Sequence, residues 1–328
     1  MKKIKILATG GTIAGKAASS TQLTGYTAGA YSVDDLLASV PALGELAQIS
    51  GEQLCNIDSS SITDALLLHL AQRCNELLAQ EDVDGVVITH GTDTMEETAF
   101  FLNLTVKSDK PVVLVGAMRP ATAVSADGPL NIINAVKTAV CAESAGQGVL
   151  VVMNDEIYGG RDVMKTNTAN VATFKAPNGG ALGCIVGGEV RYYYRSVRPH
   201  TLATEFAISK VTALPRVDII YAHIGQDRVL VDAACAAGAR GLVYAGSGMG
   251  SIHGAVEAAL AEAVQSGVVV VRSSRTGSGR VSAGLARWQE QGFLYADNLN
   301  PQKARLLLQL ALLQTHERSE VQELLLRY

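Results

Sequence analysis

The strongest constraint on the fold is a series of short, mainly apolar runs that alternate with segments of helical periodicity. Such runs lie at 4–7, 83–88, 111–115 and 149–153, and helical segments at 66–79, 94–106 and 129–141 separate most of them. Strands that are apolar on both faces are typical of parallel sheets covered by helices. The pattern predicts a large N-terminal α/β domain with a mainly parallel sheet flanked by helices.

The alternation stops between residues 154 and 214, where short hairpin-like runs such as 190–194 replace it. It resumes with predicted strands at 217–221, 241–244 and 268–271. A length of 328 residues suggests about two domains at roughly 150 residues each. We therefore expect an N-terminal domain at 1–195, a connector at 196–214, and a smaller C-terminal α/β domain with a parallel sheet at 215–328.

Three local signals mark where helices begin. Ser32 and Asp35 have the spacing of a capping box, and Thr63 has the residue type of an N-cap before the segment 66–79. Pro129 suits the first turn of the helix predicted at 129–141.

Composition excludes several classes of protein. With 27 basic and 31 acidic residues the net charge is −4, which excludes a strongly basic nucleic-acid binder. A hydrophobic content of 48% excludes intrinsic disorder. Because no apolar run approaches about 18 residues, no membrane span is predicted. The N-terminus lacks a signal-peptide core, so the expected location is cytoplasmic, or periplasmic if a signal peptide was removed.

The first candidate site is the sequence ATGGTIAG at 8–15, directly after the first predicted strand. Its glycines allow a tight turn that presents Thr12 at the carboxyl end of the strand, where open α/β sheets bind ligands. Two alternatives are an ordinary turn and a phosphate-binding loop ending at Lys16. Ala17 disfavours the loop, because that motif needs a hydroxyl residue there.

The second candidate site is ITHGTDTMEET at 88–98, which also follows a strand and opens a helix. Asp93 or Thr94 could simply cap that helix, with Glu96 and Glu97 complementing its dipole. Alternatively, the two strand ends converge on one crevice, where the helix N-terminus offers N–H groups to an oxyanion.

These two segments resemble the signature motifs of the bacterial L-asparaginase and glutaminase–asparaginase family, and the type II enzymes most closely. Colinear blocks extend the resemblance over the chain. They are VKSDKPVV at 106–113, GAMRP at 116–120, SADGP at 125–129, VRPHT at 197–201 and NLNPQKAR at 298–305.

The resemblance implies catalytic roles for five residues. Thr12 matches the nucleophile, and Tyr26 matches a tyrosine packed near its hydroxyl. Thr92, Asp93 and Lys165 match a second group, in which the lysine takes a proton through the threonine. A threonine hydroxyl needs a neighbouring proton acceptor, and a lysine serves as one only when its pKa is lowered. Which of the two groups activates Thr12 stays open. Without the resemblance, Lys165 would be assigned to the surface.

The resemblance also implies the substrate and its contacts. Ser59 matches the residue that holds the α-carboxylate of L-asparagine, and Asp93 matches a ligand of its α-amino group. Further substrate contacts are implied at Ser60, Ala117 and Ser251. The implied reaction is hydrolysis of L-asparagine to L-aspartate and ammonia through a threonine acyl-enzyme, with L-glutamine as a lesser substrate. No metal or organic cofactor is implied, and the six histidines show no metal-ligand spacing.

The chain departs from the family pattern in segments that a neighbouring subunit places over the active site. Ser251 stands where some members have Asn, and no acidic residue follows the 273–275 block until Glu290. The resemblance implies a homotetramer built as a dimer of dimers, with each C-terminal domain completing a neighbour's site. The apolar stretch 306–313 is compatible with either core or interface. An alternative function is an amino-acid-binding protein with weakened catalysis.

Overall fold

The computed structural model describes residues 1–25, 27 and 29–328, which form two compact units, 1–210 and 211–328. The α/β class, with a large parallel-rich sheet first and a smaller parallel sheet second, is confirmed.

Unit 1 is built on a sheet in which eight of the described strands pair. They are β1 (Lys3–Gly10), β2 (Gln48–Ile57), β3 (Gly85–Thr89), β4 (Val112–Val115), β5 (Val149–Met153), β6 (Glu156–Gly159), β9 (Gly183–Val186) and β10 (Glu189–Tyr192). Their order across the sheet is β10-β9-β6-β5-β4-β3-β1-β2. The strands from β2 to β5 pair in parallel, whereas β6, β9 and β10 pair antiparallel. A separate hairpin pairs β7 (Met164–Lys165) with β8 (Phe174–Lys175).

The helices of unit 1 are α1 (Val33–Ala38), α2 (Leu43–Leu46), α3 (Asp64–Leu78), α4 (Met95–Thr105) and α5 (Gly128–Val140). The predicted helix starts are confirmed. Ser32 and Asp35 form a capping box at α1, the Thr63 side chain accepts from the Leu66 N–H at α3, and Pro129 lies in the first turn of α5. Every residue of β3, β4 and β5 is buried, as expected for strands covered on both faces.

Strand β2 is absent from the sequence prediction. It lies at the edge of the sheet, where every one of its residues is exposed or half-buried, and it contains Gly51. An edge strand with one solvated face lacks the continuous apolar run by which buried parallel strands are recognised.

Unit 2 contains a four-stranded parallel sheet in the order β11-β12-β13-β14. Its strands are β11 (Val217–Tyr221), β12 (Gly241–Gly246), β13 (Val269–Ser274) and β14 (Leu294–Tyr295). Its helices are α6 (Val229–Ala236), α7 (Gly254–Gln265), α8 (Ala286–Glu290), α9 (Pro301–Leu312) and α10 (Arg318–Arg327). The leucines of α9 are buried within the single chain, so the apolar stretch assigned to core or interface is core up to Leu312.

Candidate active site

The candidate active site lies where two neighbouring strands end. β1 and β3 are adjacent and parallel, so the loops that follow them leave the same edge of the sheet. Both loops line one cavity of about 430 Å³ in unit 1. Its described lining residues are Gly11, Thr12, Leu23, Thr24, Gly25, Asp58, Ser59, Gly91, Thr92, Asp93, Met118, Arg119, Lys165, Thr168 and Ala169.

Two glycines bring these loops together. Gly11 has a φ of 81°, and a Cβ atom added to it would lie 2.4 Å from the Cα of Gly91. A Cβ atom on Gly91 would in turn lie 2.6 Å from the Oγ of Ser59. Glycine at both positions is therefore what allows Thr12, Thr92 and Ser59 to approach one another.

Thr12 opens a single 3₁₀ turn, Thr12–Ala14, at the cavity wall. Beyond it, Lys16 pairs with Thr27 in an antiparallel bridge, and the next helix that the structure describes begins at Val33. A phosphate-binding loop needs a helix directly after the glycine-rich turn, so that alternative is wrong here.

Lys165 joins the second motif to the hairpin of β7 and β8. Its Nζ donates to Thr92 Oγ1 at 2.9 Å and to Asp93 Oδ1 at 2.5 Å. The Lys165 side chain is 15% exposed, whereas that of Asp93 is 59% exposed. The structure thus brings together Thr12, Thr92, Asp93 and Lys165 around one cavity. Tyr26 lies outside the described residues.

The simple capping alternative for the second motif is not what the structure contains. Thr94 stands at the N-cap position of α4, but its side chain makes no capping hydrogen bond. Its Oγ1 donates instead to the Ser59 carbonyl at 2.9 Å, while Asp93 accepts from Lys165. Thr94 and Asp93 thus connect this turn to the segments of Ser59 and Lys165, and a simple helix cap would not need these contacts.

The remaining predicted substrate contacts differ in whether they line the cavity. Ser59 is buried and lines it, whereas the Ser60 hydroxyl donates to Asp58 Oδ1 at 2.9 Å. Ala117 is fully buried, next to the lining residue Met118. Ser251 belongs to unit 2, where it forms a bridge with Ser247. Ser60, Ala117 and Ser251 are therefore not among the described lining residues.

Arg119 is a lining residue that the sequence analysis did not single out. The Asp127 carboxylate supports it by accepting the backbone N–H groups of Met118 and Arg119, at 2.9 Å each. Asp127 precedes α5 without capping it. An acidic residue directly before a helix predicts a cap, so the local sequence pattern does not indicate that Asp127 contacts the loop of Met118 and Arg119.

His90 is a fully buried histidine within the second motif. Its Nδ1 donates to the Gly91 carbonyl at 2.6 Å, and its Nε2 accepts from Thr98 Oγ1 at 2.9 Å. Burial lowers the pKa of His90 to about 4, against a smaller opposing effect of the Gly91 hydrogen bond. His90 is therefore a neutral, hydrogen-bonded support for the loop.

In residues 1–25, 27 and 29–328, no group of three or more His, Cys, Asp and Glu side chains is placed to hold a metal ion. Of the helices that the structure describes, none has the length and hydropathy needed to span a membrane.

Comparisons with known proteins match the whole length of the chain. Residues 3–198 match the family model described as asparaginase, N-terminal, and residues 216–325 match the glutaminase/asparaginase C-terminal domain. L-asparaginase 2 of Bacillus subtilis (strain 168) is 51% identical, with 98% of this chain and 85% of the relative covered. L-asparaginase 2 of Escherichia coli (strain K12) is 48% identical, with 100% and 94% covered.

A solved structure is similar to this chain in both sequence and fold. The probable cytoplasmic L-asparaginase from Campylobacter jejuni matches with a TM-score of 0.98 and 50% identity, over 100% of both chains.

Proposed function

The chain belongs to the asparaginase family, and on that premise we propose that its cavity hydrolyses the side-chain amide of L-asparagine through a covalent intermediate on Thr12. The products are L-aspartate and ammonia. L-glutamine is a lesser substrate, in keeping with a C-terminal family model whose description includes glutaminase.

The observation that carries this proposal is the pair of hydrogen bonds from Lys165 Nζ to Thr92 Oγ1 and Asp93 Oδ1, in the cavity that Thr12 also lines. A threonine hydroxyl attacks an amide only when a neighbouring group accepts its proton. In the proposal the Lys165 amine, in its neutral form, accepts that proton through Thr92, and Asp93 orients the amine. Tyr26 is the other group that the resemblance implies for this step.

The charges of the cavity suit a zwitterionic amino acid. Its described lining includes two acidic residues, Asp58 and Asp93, and two basic residues, Arg119 and Lys165. The exposed Asp93 carboxylate can accept from an α-ammonium group as well as from Lys165. Ser59 offers a hydroxyl to the α-carboxylate.

The reaction then has two balanced halves. Thr12 Oγ bonds to the amide carbon as its proton leaves, and the Thr92 N–H stabilises the oxyanion. Ammonia departs with the transferred proton and leaves an aspartyl ester on Thr12. Water attacks that ester, one of its protons restores the Thr12 hydroxyl, and L-aspartate is released.

Two further properties remain proposals. We expect a homotetramer arranged as a dimer of dimers, in which the C-terminal unit completes a neighbour's site near Ser251. The cytoplasmic location expected from the sequence is in keeping with the name of the Campylobacter relative.

The test is ammonia release from L-asparagine and L-glutamine by the wild type and by Thr12→Ala and Thr12→Ser. We expect Thr12→Ala to lower kcat at least about a thousandfold, because the nucleophile is lost, and Thr12→Ser to retain part of it. Mass spectrometry of the quenched wild type should detect an aspartyl adduct at Thr12.

The melting temperature serves as the folding control for these variants. Full activity of Thr12→Ala would show that Thr12 is not the nucleophile. If asparagine raised the melting temperature of the wild type without releasing ammonia, the protein would instead be an amino-acid binder.

A further inference from the structure

Lys165 lies on a short element with little pairing of its own. β7 has two residues, Met164 and Lys165, and its only strand partner among the described residues is β8, through Phe174 and Lys175. An isolated two-stranded hairpin is marginally stable in water. The position of the Lys165 amine therefore depends on contacts that hold this hairpin from outside.

Glu96 supplies such a contact. Its Oε2 accepts the backbone N–H of Lys165 at 2.6 Å, so the outer edge of β7 is bonded to a side chain of α4. Glu96 is only 4% exposed and lies in the first turn of α4, immediately after the loop that carries Thr92 and Asp93. A hydrogen bond to an ionised carboxylate is shorter and stronger than one between neutral groups.

Both the side chain and the backbone of Lys165 are hydrogen-bonded to residues at the start of α4. Its side chain bonds to the residues just before α4, and its backbone bonds to the first turn of α4. The same helix terminus thus fixes both ends of the residue. This is more than complementing the helix dipole, the role that sequence position alone assigns to Glu96.

We propose that Glu96 is a positioning residue that holds the Lys165 backbone so that its amine meets Thr92 and Asp93. The inference rests on the proposed function, in which Lys165 takes part in activating Thr12. Glu96 touches no substrate in this proposal and acts only through Lys165.

The experiment measures kcat and KM for L-asparagine in Glu96→Gln, Glu96→Ala and Lys165→Met. Glu97→Gln is the matched control, because Glu97 is the next carboxylate on the same helical turn. We expect Glu96→Ala to lower kcat by about 100-fold, the scale of a misplacement near 1 Å, with KM changed less than about threefold. Glu96→Gln keeps an oxygen that accepts from Lys165, so its loss should be about tenfold. Glu97→Gln should match the wild type.

Hydrogen exchange at the Lys165 amide provides a second measurement in Glu96→Gln, should Glu96→Ala not fold. Exchange should be faster than in the wild type. Unchanged exchange together with unchanged kcat in Glu96→Gln would overturn the proposal, as would a Glu96→Ala enzyme with the kcat of the wild type.

The Lys165→Met variant separates the positioning role of Glu96 from the catalytic role of Lys165. Loss of kcat in Lys165→Met with full kcat in both Glu96 variants would remove the positioning role and leave the proposed function standing. Full kcat in Lys165→Met would remove the catalytic role of Lys165 and, with it, the role of Glu96.

Discussion

His90 shows how a single buried residue supports a catalytic loop without taking part in the chemistry. Both ring nitrogens are satisfied by groups of its own segment, the Gly91 carbonyl and the Thr98 hydroxyl. Only the neutral imidazole can donate from Nδ1 and accept at Nε2 at once. Protonation would bury a charge and remove the acceptor, so the folded state disfavours it.

The lowered pKa of His90 predicts a loss of stability in acid. Between pH 6.5 and about 4 the unfolded chain binds a proton that the folded chain does not, so stability falls as the pH falls through this window. The loss attributable to His90 reaches about 3 kcal/mol at the lower end. Urea unfolding at several pH values should show a shallower acid decline in His90→Gln.

The other histidines are common to both proteins and cancel in this comparison. Parallel declines in the wild type and in His90→Gln would show that His90 does not resist protonation in the folded state.

Lys165 marks the limit of residue-scale prediction. A lysine among polar neighbours is usually solvated, and nothing within 161–167 indicates its partners. Those partners, Thr92 and Asp93, stand more than seventy positions earlier in the chain. Resemblance to a family was the only signal in the sequence that pointed to this residue.

At the scale of elements, the site depends on two strand-to-loop turns whose backbones touch. We expect Gly11→Ala to lower the free energy of unfolding by more than about 1 kcal/mol, because Gly11 has a positive φ and no space for a Cβ. The same change should lower kcat/KM at least about tenfold, since it separates Thr12 from Thr92. Urea unfolding and ammonia release measure the two effects.

Gly44→Ala is the control for this substitution. Gly44 lies in helix α2 with no heavy atom near an added Cβ, so alanine there should leave activity unchanged and stability equal or slightly higher. If Gly11→Ala behaved like Gly44→Ala, close approach of the two turns would not be needed for activity.

Elements with a local signature were predicted well. The buried strands and the capped helices were found because apolar runs and capping residues are properties of neighbouring positions. Strand β2 and the β7–β8 hairpin were missed. One has a solvated face, and the other has only two residues per strand.

At the scale of the whole molecule, several large apolar side chains are exposed on the chain. Unit 1 exposes Tyr193, Tyr194 and Val197, and unit 2 exposes Ile224 and Val229. The proposed tetramer predicts a mass of about 138 kDa, four times the 34.4 kDa of the chain.

Light scattering over a range of concentrations measures this mass. A particle of 34.4 kDa with full specific activity would contradict both the tetramer and the completion of the site by a neighbour.

The sequence by itself determined the fold class, the starts of the main helices and the two loops that carry Thr12 and Thr92. These follow from apolar periodicity, capping residues and glycine turns, all of which act over a few neighbouring positions. Only the tertiary structure decided that β1 lies beside β3 and that the backbone N–H of Lys165 donates to the Glu96 carboxylate. Such contacts depend on strand order and on the packing of distant segments. Burial of apolar surface stabilises any arrangement that removes this surface from water, and the local sequence pattern does not specify which arrangement forms.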